Sequence, residues 1–342
     1  MLNIDKSSVE FLITEHMADE VEFLLSEKVK EIDNIVEEMK SRKISRVYFV
    51  ACGSPLCACQ TAQILFERYS SIMAKAYSGY DFLDQTPYII NENTIVIGIS
   101  DSGTTEEVYR SIDLARQRGA MTVGISKDGI GVPLGDSAEF TIGYQGHAIW
   151  QMHLYITYLI ACKYIQLMEG ENGELSEILQ QLQDLPDVLR ELVQNQEEQS
   201  KRLGIAASKH PFLYTVSGGN LLPLAYKEGI ITMLEFTRTH GCQLNAAEFR
   251  HGPLEVVEAG VPYVFLLGND ESRHTVERAL NFVQNYTRDV IIFDVNDLGV
   301  DCHPMITPLV LFVPLEYFYY YLSLAKDHNP DDRRYYGGKA KY

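Results

Sequence analysis

A chain of 342 residues, 46% of them hydrophobic and 22% charged, can bury a sizeable core, and its length predicts two domains. Its formal net charge of −18 removes long-range attraction for nucleic acid or an anionic membrane, so an anionic ligand must be gripped locally. The amino terminus MLNIDKSSVEFL carries no signal-peptide apolar run, and no stretch reads as the roughly 20 apolar residues of a membrane span. Six cysteines are too sparse for a disulfide scaffold, which together with the missing signal predicts a cytoplasmic protein.

Residues Glu20 to Lys40 are charged and periodic, as in an exposed helix, and lead into the β-rich run Val47 to Ala51, which stops at Cys52-Gly53-Ser54. A helix is predicted from about Ala58. A second strand over Thr94–Ile99 closes on Ser100-Asp101-Ser102-Gly103-Thr104-Thr105, followed by a helix over Glu106–Arg118 that Gly119 ends. Further strands are predicted over Met121–Ile125 and Ala138–Ile142. Strands alternating with helices at this spacing imply βαβ crossovers and a parallel sheet. The Glu/Gln-rich stretch Glu171–Leu203, interrupted by Pro186, reads as connecting surface helices.

The pattern then recurs. Phe212–Val216 runs into Ser217-Gly218-Gly219-Asn220, a helix is predicted over Leu221–Glu235, and strands over Val261–Leu267 and Val290–Asp294 flank a helix from Glu271 to about Tyr286. This repetition suggests an internal duplication, with a first domain over 1–170, a helical connector over 171–203 and a second domain over 204–342.

In an open α/β sheet, ligands collect beyond the carboxyl ends of the strands, where strand-to-helix turns expose backbone N–H groups. Ser100, Ser102 and Thr105 lie at one such turn, and Gly53 with Ser54 at another. Hydroxyls around a glycine, facing the positive end of a helix, suit a phosphate, although Ser and Thr also serve there as ordinary N-caps. Neither turn spells the dinucleotide pattern G-x-G-x-x-G. Glu235 and His251 offer a carboxylate and an imidazole, a base and an acid of different ordinary pKa, as proton transfer beside a carbonyl requires. A helix-surface carboxylate and a loop histidine bonded to backbone would look the same at this stage. Cys57-Ala58-Cys59 has no second pair at metal-binding spacing, and no cofactor or metal is called for. His147 and His153, around Trp150, read as structural, and Tyr317, Tyr319, Tyr320 and Tyr321 as packing for a C-terminal helix. Arg333 and Arg334 could pair with Asp331 and Asp332 or hold a ligand carboxylate.

Phe49-Val50-Ala51-Cys52-Gly53-Ser54, the Ser100–Glu107 turn, Glu248-Phe249-Arg250-His251-Gly252-Pro253-Leu254-Glu255 and the tail His328–Tyr336 together resemble the SIS (sugar isomerase) family. Within it the chain is most similar to fructosamine-6-phosphate deglycases, relatives of the isomerase half of glucosamine-6-phosphate synthase. The resemblance implies an α/β protein of two SIS domains, each a parallel sheet flanked by helices in three layers. It also implies that Gly53, Ser54, Ser100, Ser102 and Thr105 hold a sugar phosphate, with Glu235 as base, His251 as acid or ring-opening residue and Glu228 as a second carboxylate near the sugar. A homo-oligomer is implied, the loop of His251 reaching a neighbouring subunit. Two departures separate the chain from the synthase: Thr232 stands where the synthase has a helical lysine, and Tyr335-Tyr336-Gly337-Gly338 where it has a tail lysine, with Lys339 out of register. The implied reaction cleaves a fructosamine 6-phosphate, such as fructoselysine 6-phosphate, to glucose 6-phosphate and a free amino acid. A phosphosugar aldose–ketose isomerase, a deglycase for glucoselysine 6-phosphate and a sugar-phosphate sensor without turnover are the alternatives.

Overall fold

The computed structural model describes residues 1–12, 15–336 and 339–341. They form two compact units, one over Met17–Pro186 and one over Met1–His16 with Asp187–Tyr342.

The first unit is built on a five-stranded parallel sheet of order β2-β1-β3-β4-β5. Its strands are β1 Arg46–Ala51, β2 Met73–Ser78, β3 Thr94–Ile99, β4 Met121–Ser126 and β5 Phe140–Gly143. Strand alternation sends Tyr48, Val50 and Val96 into a core with Val108, Ile112 and Ala115 of the helix Glu106–Gln117. On the opposite face Phe49 meets Phe66 of the helix Ser54–Tyr69, ring centroids 6.3 Å apart. Both faces of the sheet are therefore covered, as an all-parallel sheet requires. The charged stretch near the amino terminus is two helices, Met17–Glu27 and Val29–Ser41, with Ile32, Ile35, Val36 and Met39 buried along one side of the second. The helix after β1 begins at Ser54, four residues before the expected Ala58, because Pro55 suits a first helical turn where no N–H partner is needed.

The second unit holds a four-stranded parallel sheet, β6 Phe212–Ser217, β7 His240–Asn245, β8 Tyr263–Leu267 and β9 Val290–Asp294, in the order β7-β6-β8-β9. In each unit the first strand lies between the second and the third, which is the shared topology an internal duplication predicts. The edge strands β2 and β7 escape sequence reading for one reason. Each is partly exposed along most of its length, so neither MAKAYS nor HGCQLN carries an apolar run. Val276, Ala279, Leu280 and Val283 of the helix Arg273–Val283 pack with Val216, Tyr263 and Phe265, and Phe318 of the helix Thr307–Ala325 stacks edge-on against Phe293 at 5.4 Å. The segment Leu221–Glu235 is helical but not uniform: α-helix over Leu222–Tyr226, a π-helical turn over Lys227–Thr232, then α-helix over Met233–Phe236. Pro186 lies inside one helix, Gly173–Asn195, rather than ending it.

One expectation is corrected here. The 22-residue stretch Pro304–Ala325 is long and apolar enough to cross a membrane by length and composition, and its apolar window is 100% buried inside the protein. Pro308, Pro314 and Glu316 interrupt the run in sequence; helix formation joins the pieces, with Pro308 in the first turn and Glu316 satisfied by an ion pair. The tyrosines of this helix pack as expected: Tyr317 and Tyr319 are buried, and Tyr317 donates to the Val193 carbonyl at 3.1 Å.

The helices Glu197–Ala207 and Thr307–Ala325 approach closely at Gly204, where an added Cβ would lie 2.5 Å from the Phe318 carbonyl oxygen. Gly204→Ala should therefore cost about 1–3 kcal/mol by overpacking, while Gly173→Ala, where nothing lies within 4 Å, stays within about 0.5 kcal/mol of wild type. Urea unfolding of both variants measures the contrast; equal stabilities would refute the close approach.

Candidate active site

The parallel register sets Ala51 of β1 beside Ile99 of β3, so the turns that follow these two strands lie side by side at the carboxyl edge of the sheet. One strand neighbour lies to each side of that pair in chain-reversed order, which makes it the topological switch point where open sheets bind ligands. Gly53 takes φ 65° between β1 and the helix starting at Ser54, a conformation that glycine adopts without penalty. After β3, Ser100 is buried with its hydroxyl 2.7 Å from that of Thr105, and Ser102 is exposed with its hydroxyl 2.8 Å from that of Thr104. The Thr104 amide donates to Ser102 Oγ at 3.2 Å. Thr105 caps the helix Glu106–Gln117 through its backbone only, and its side chain makes no cap hydrogen bond. The five residues expected to hold phosphate thus all stand on this one edge of the first unit.

Behind the turn is a polar chain that sequence reading passed over. The Tyr144 hydroxyl donates to Asp101 and lies 3.1 Å from His153 Nε2, and His153 is fully buried. Burial pushes the His153 imidazolium down to about 3, so the ring is neutral and structural. Burial, with Asp101 adding to it, holds the Tyr144 hydroxyl well above its ordinary value and keeps it a donor. Asp101 sits between Ser100 and Ser102, and that position was the available signal. Cys52 borders the same edge, its thiol 3.4 Å from Glu107 and raised to about 11 by burial.

In the second unit Glu235 stands on the helix Met233–Phe236, at the wall of a cleft of about 990 Å³ formed with Arg238, Thr239, His240 and the tail residues Arg333, Arg334, Tyr335 and Tyr336. Arg333 donates Nε to Glu235 Oε1 at 3.0 Å and Nη1 to the Pro330 carbonyl. Its guanidinium carbon lies 4.3 Å from the ring centroid of Phe236 and 4.7 Å from that of Phe11. Asp331 fixes the same tail by accepting from the backbone N–H of Glu10 at 2.7 Å and of Phe11 at 2.9 Å. The expected pairing of Arg333 with Asp331 or Asp332 is therefore corrected: those carboxylates are not its partners, and a desolvated guanidinium between two rings selects Glu235 instead. Lys339 donates to the Arg333 carbonyl at 2.8 Å, and Gly337 and Gly338 lie outside the described residues.

His251 is exposed on the turn after the 3-10 segment Ala246–Glu248, with its backbone N–H on the Glu248 carbonyl at 2.9 Å. It is not among the described residues that line the Glu235 cleft. Glu228 is also outside that cleft and wholly buried. The Lys227 ammonium lies 2.9 Å from Glu228 Oε1, 2.6 Å from Glu316 Oε1 and 4.6 Å from the Phe312 ring centroid. Burial raises the Glu228 carboxyl to about 7, Lys227 opposing and Glu316 adding to the shift. Burial works to lower Lys227, yet its two carboxylates leave it above its ordinary value. Thr232, where the synthase has a lysine, is buried in the same π-helical turn.

The SIS domain family matches residues 39–147. Fructoselysine 6-phosphate deglycase of Escherichia coli K12 is 51% identical over 342 residues, all of both chains. The chain belongs to the SIS-domain family of the fructoselysine 6-phosphate deglycases. The family extends to fructosamine deglycase FrlB of Bacillus subtilis, 28% identical over 90% of this chain and 95% of that one. A Bacillus subtilis protein solved as a candidate phosphosugar isomerase is 28% identical with a TM-score of 0.83, over 92% of this chain and 97% of that one. These whole-length matches cover both sheets, so the two-domain SIS architecture belongs to the family as well as to this chain.

Between its ordinary value of 4.5 and about 7, folded Glu228 retains a proton that the unfolded chain has released, so stability falls as pH rises through that window. Glu228→Gln leaves Lys227 paired with Glu316 and should flatten the decline. Denaturant unfolding at intervals across this range reads the slope; an unchanged slope would show that Glu228 does not titrate there.

Proposed function

We propose that the chain is a deglycase that converts a fructosamine 6-phosphate, fructoselysine 6-phosphate among its substrates, to glucose 6-phosphate and a free amino acid. The observation that carries the reading is 51% identity to a fructoselysine 6-phosphate deglycase from end to end, with Glu235 set in an open cleft. Ser54, Ser100, Ser102, Thr105 and the Gly53 turn grip the phosphate through hydroxyls and backbone N–H groups, which need no lysine and tolerate the acidic chain around them.

Glu235 removes a proton from C1 of the open-chain ketosamine, and the C2 carbonyl takes up the charge as an enaminol forms. Protonation at C2 moves the unsaturation to a C1 imine. Water then adds to C1, the C–N bond breaks, and the amine leaves with a proton, giving the aldehyde of glucose 6-phosphate. His251 carries the protons on and off oxygen and nitrogen. Arg333 holds Glu235 in one orientation through its Nε hydrogen bond.

The exposed position of His251 outside the Glu235 cleft supports a homo-oligomer in which one subunit supplies the imidazole to its neighbour. The six reduced cysteines and the soluble metabolic chemistry fit a cytoplasmic enzyme.

Glu235→Gln and His251→Ala should each lower turnover about 10²- to 10⁴-fold while leaving the affinity for glucose 6-phosphate within about threefold. Glucose 6-phosphate and free lysine, quantified from synthetic fructoselysine 6-phosphate, are the readout; product formation without lysine would mark an isomerase. Mixing the two inactive variants after dissociation should restore partial turnover, because a mixed oligomer contains one site with both groups. A mixture as inactive as its components would reject the shared site.

A further inference from the structure

The cleft beside Glu235 is basic in a chain of net charge −18. Among the described residues that line it, Glu235 is the single acidic side chain, and Arg333 already neutralises it. Arg238, Arg334 and Lys341 remain, with His240 on the same wall. Arg238 is held at φ 51°, in the left-handed region that non-glycine residues rarely adopt. One of its terminal nitrogens is fixed by the Asp332 carbonyl at 3.1 Å, so the guanidinium is oriented before any ligand arrives. Arg334 is exposed, and its guanidinium carbon lies 6.0 Å from the ring centroid of Tyr335. Tyr335 and Tyr336 are exposed aromatic surfaces within the same cleft. Among the described residues no ion pair joins Arg238, Arg334 or Lys341 to a carboxylate, so like charges line one cleft and a bound anion relieves their repulsion.

The chemistry says which anion. Glu235 acts at C1, the carbon that bears the nitrogen, so groups beside Glu235 face the amino-acid end of the substrate. The phosphate is at C6, the opposite end of the sugar. We infer that this cleft is the subsite for the amino-acid half of the substrate, with Arg238 and Arg334 binding its carboxylate and Tyr335 and Tyr336 flanking its side chain. The inference rests on the deglycase reading for the position of C1. It makes the enzyme selective for glycated amino acids over glycated amines of the same length, a distinction that a phosphate cradle cannot make.

The test pairs fructoselysine 6-phosphate with the corresponding adduct of cadaverine, which is lysine without its carboxylate. Loss of a charge-assisted arginine contact predicts a KM roughly 10- to 100-fold higher for the cadaverine adduct, with kcat within about threefold. Arg334→Ala and Arg238→Gln should raise KM for the lysine adduct alone and so bring the ratio towards one. Equal KM values in the wild-type enzyme, or a ratio untouched by both substitutions, overturns the subsite. Calorimetric Kd values for the two adducts on Glu235→Gln separate this inference from the reading beneath it. A carboxylate-dependent Kd without turnover in the wild type would sink the deglycase reading and keep the anion subsite; equal Kd values with normal wild-type turnover would do the reverse.

Discussion

The Lys227 ammonium, shared between Glu228 and Glu316 in the interior of the second unit, is the interaction on which the candidate base depends. Burying an ammonium with two carboxyl groups is costly, and the short contacts repay it only while all three partners stay in place. Glu316 comes from the long buried helix Thr307–Ala325, whereas Lys227 and Glu228 open the π-helical turn that leads into Met233–Phe236. The pair therefore ties a rigid core helix to the short segment carrying Glu235. A π turn also shifts the phase of the residues after it relative to an α-helix, and such turns recur at functional sites. Ala in place of Lys227 would leave both buried carboxyl groups without their cation, so electrostatics ties this position to a positively charged side chain.

Glu235 itself is held from the other side, by the tail. Arg333 reaches it from between Phe11 and Phe236, and Asp331 secures the tail on the backbone of Glu10 and Phe11. The base is thus positioned by a core ion cluster below and a terminal segment above. The Tyr336 hydroxyl, raised chiefly by the nearby Glu235, remains protonated in the same cleft. The first unit solves a different problem: Ser100, Ser102 and Thr105 sit on a turn whose rear is braced by Asp101, Tyr144 and His153. The Ser100 and Thr105 hydroxyls bond each other, and Ser102 carries its hydroxyl on the exposed side of the same turn.

Much of the fold was legible because central strands are buried on both faces and read as apolar runs. Thr94–Ile99 and Tyr263–Leu267 have every residue buried; the bounds of the first follow from composition, and the second begins two residues later than the expected Val261. The edge strands Met73–Ser78 and His240–Asn245 were not legible, since half-exposed strands carry no such run and are defined by the neighbour they pair with. Pro186 marked a break in sequence but is accommodated within a helix, because packing outweighs a local propensity of a few kcal/mol. The hydroxyl turn after β3 was legible from its composition, and Glu235 and His251 stand out as candidates by the motif around them. What escaped was their setting: the burial of Glu228 beside Lys227, and the hydrogen bond of Arg333 to Glu235 rather than to Asp331 or Asp332.

The sequence by itself determined the α/β alternation and the repeated strand-turn-helix units, and it supplied the candidate groups for phosphate binding and proton transfer, since these depend on residue type and near-neighbour spacing. Tertiary structure alone decided which charges are paired. Lys227 meets Glu316 across 89 positions and Arg333 meets Glu235 across 98. Contacts of that span carry no local signature, because desolvation selects the partner that the folded chain brings within reach, and nothing in the composition of either segment names it.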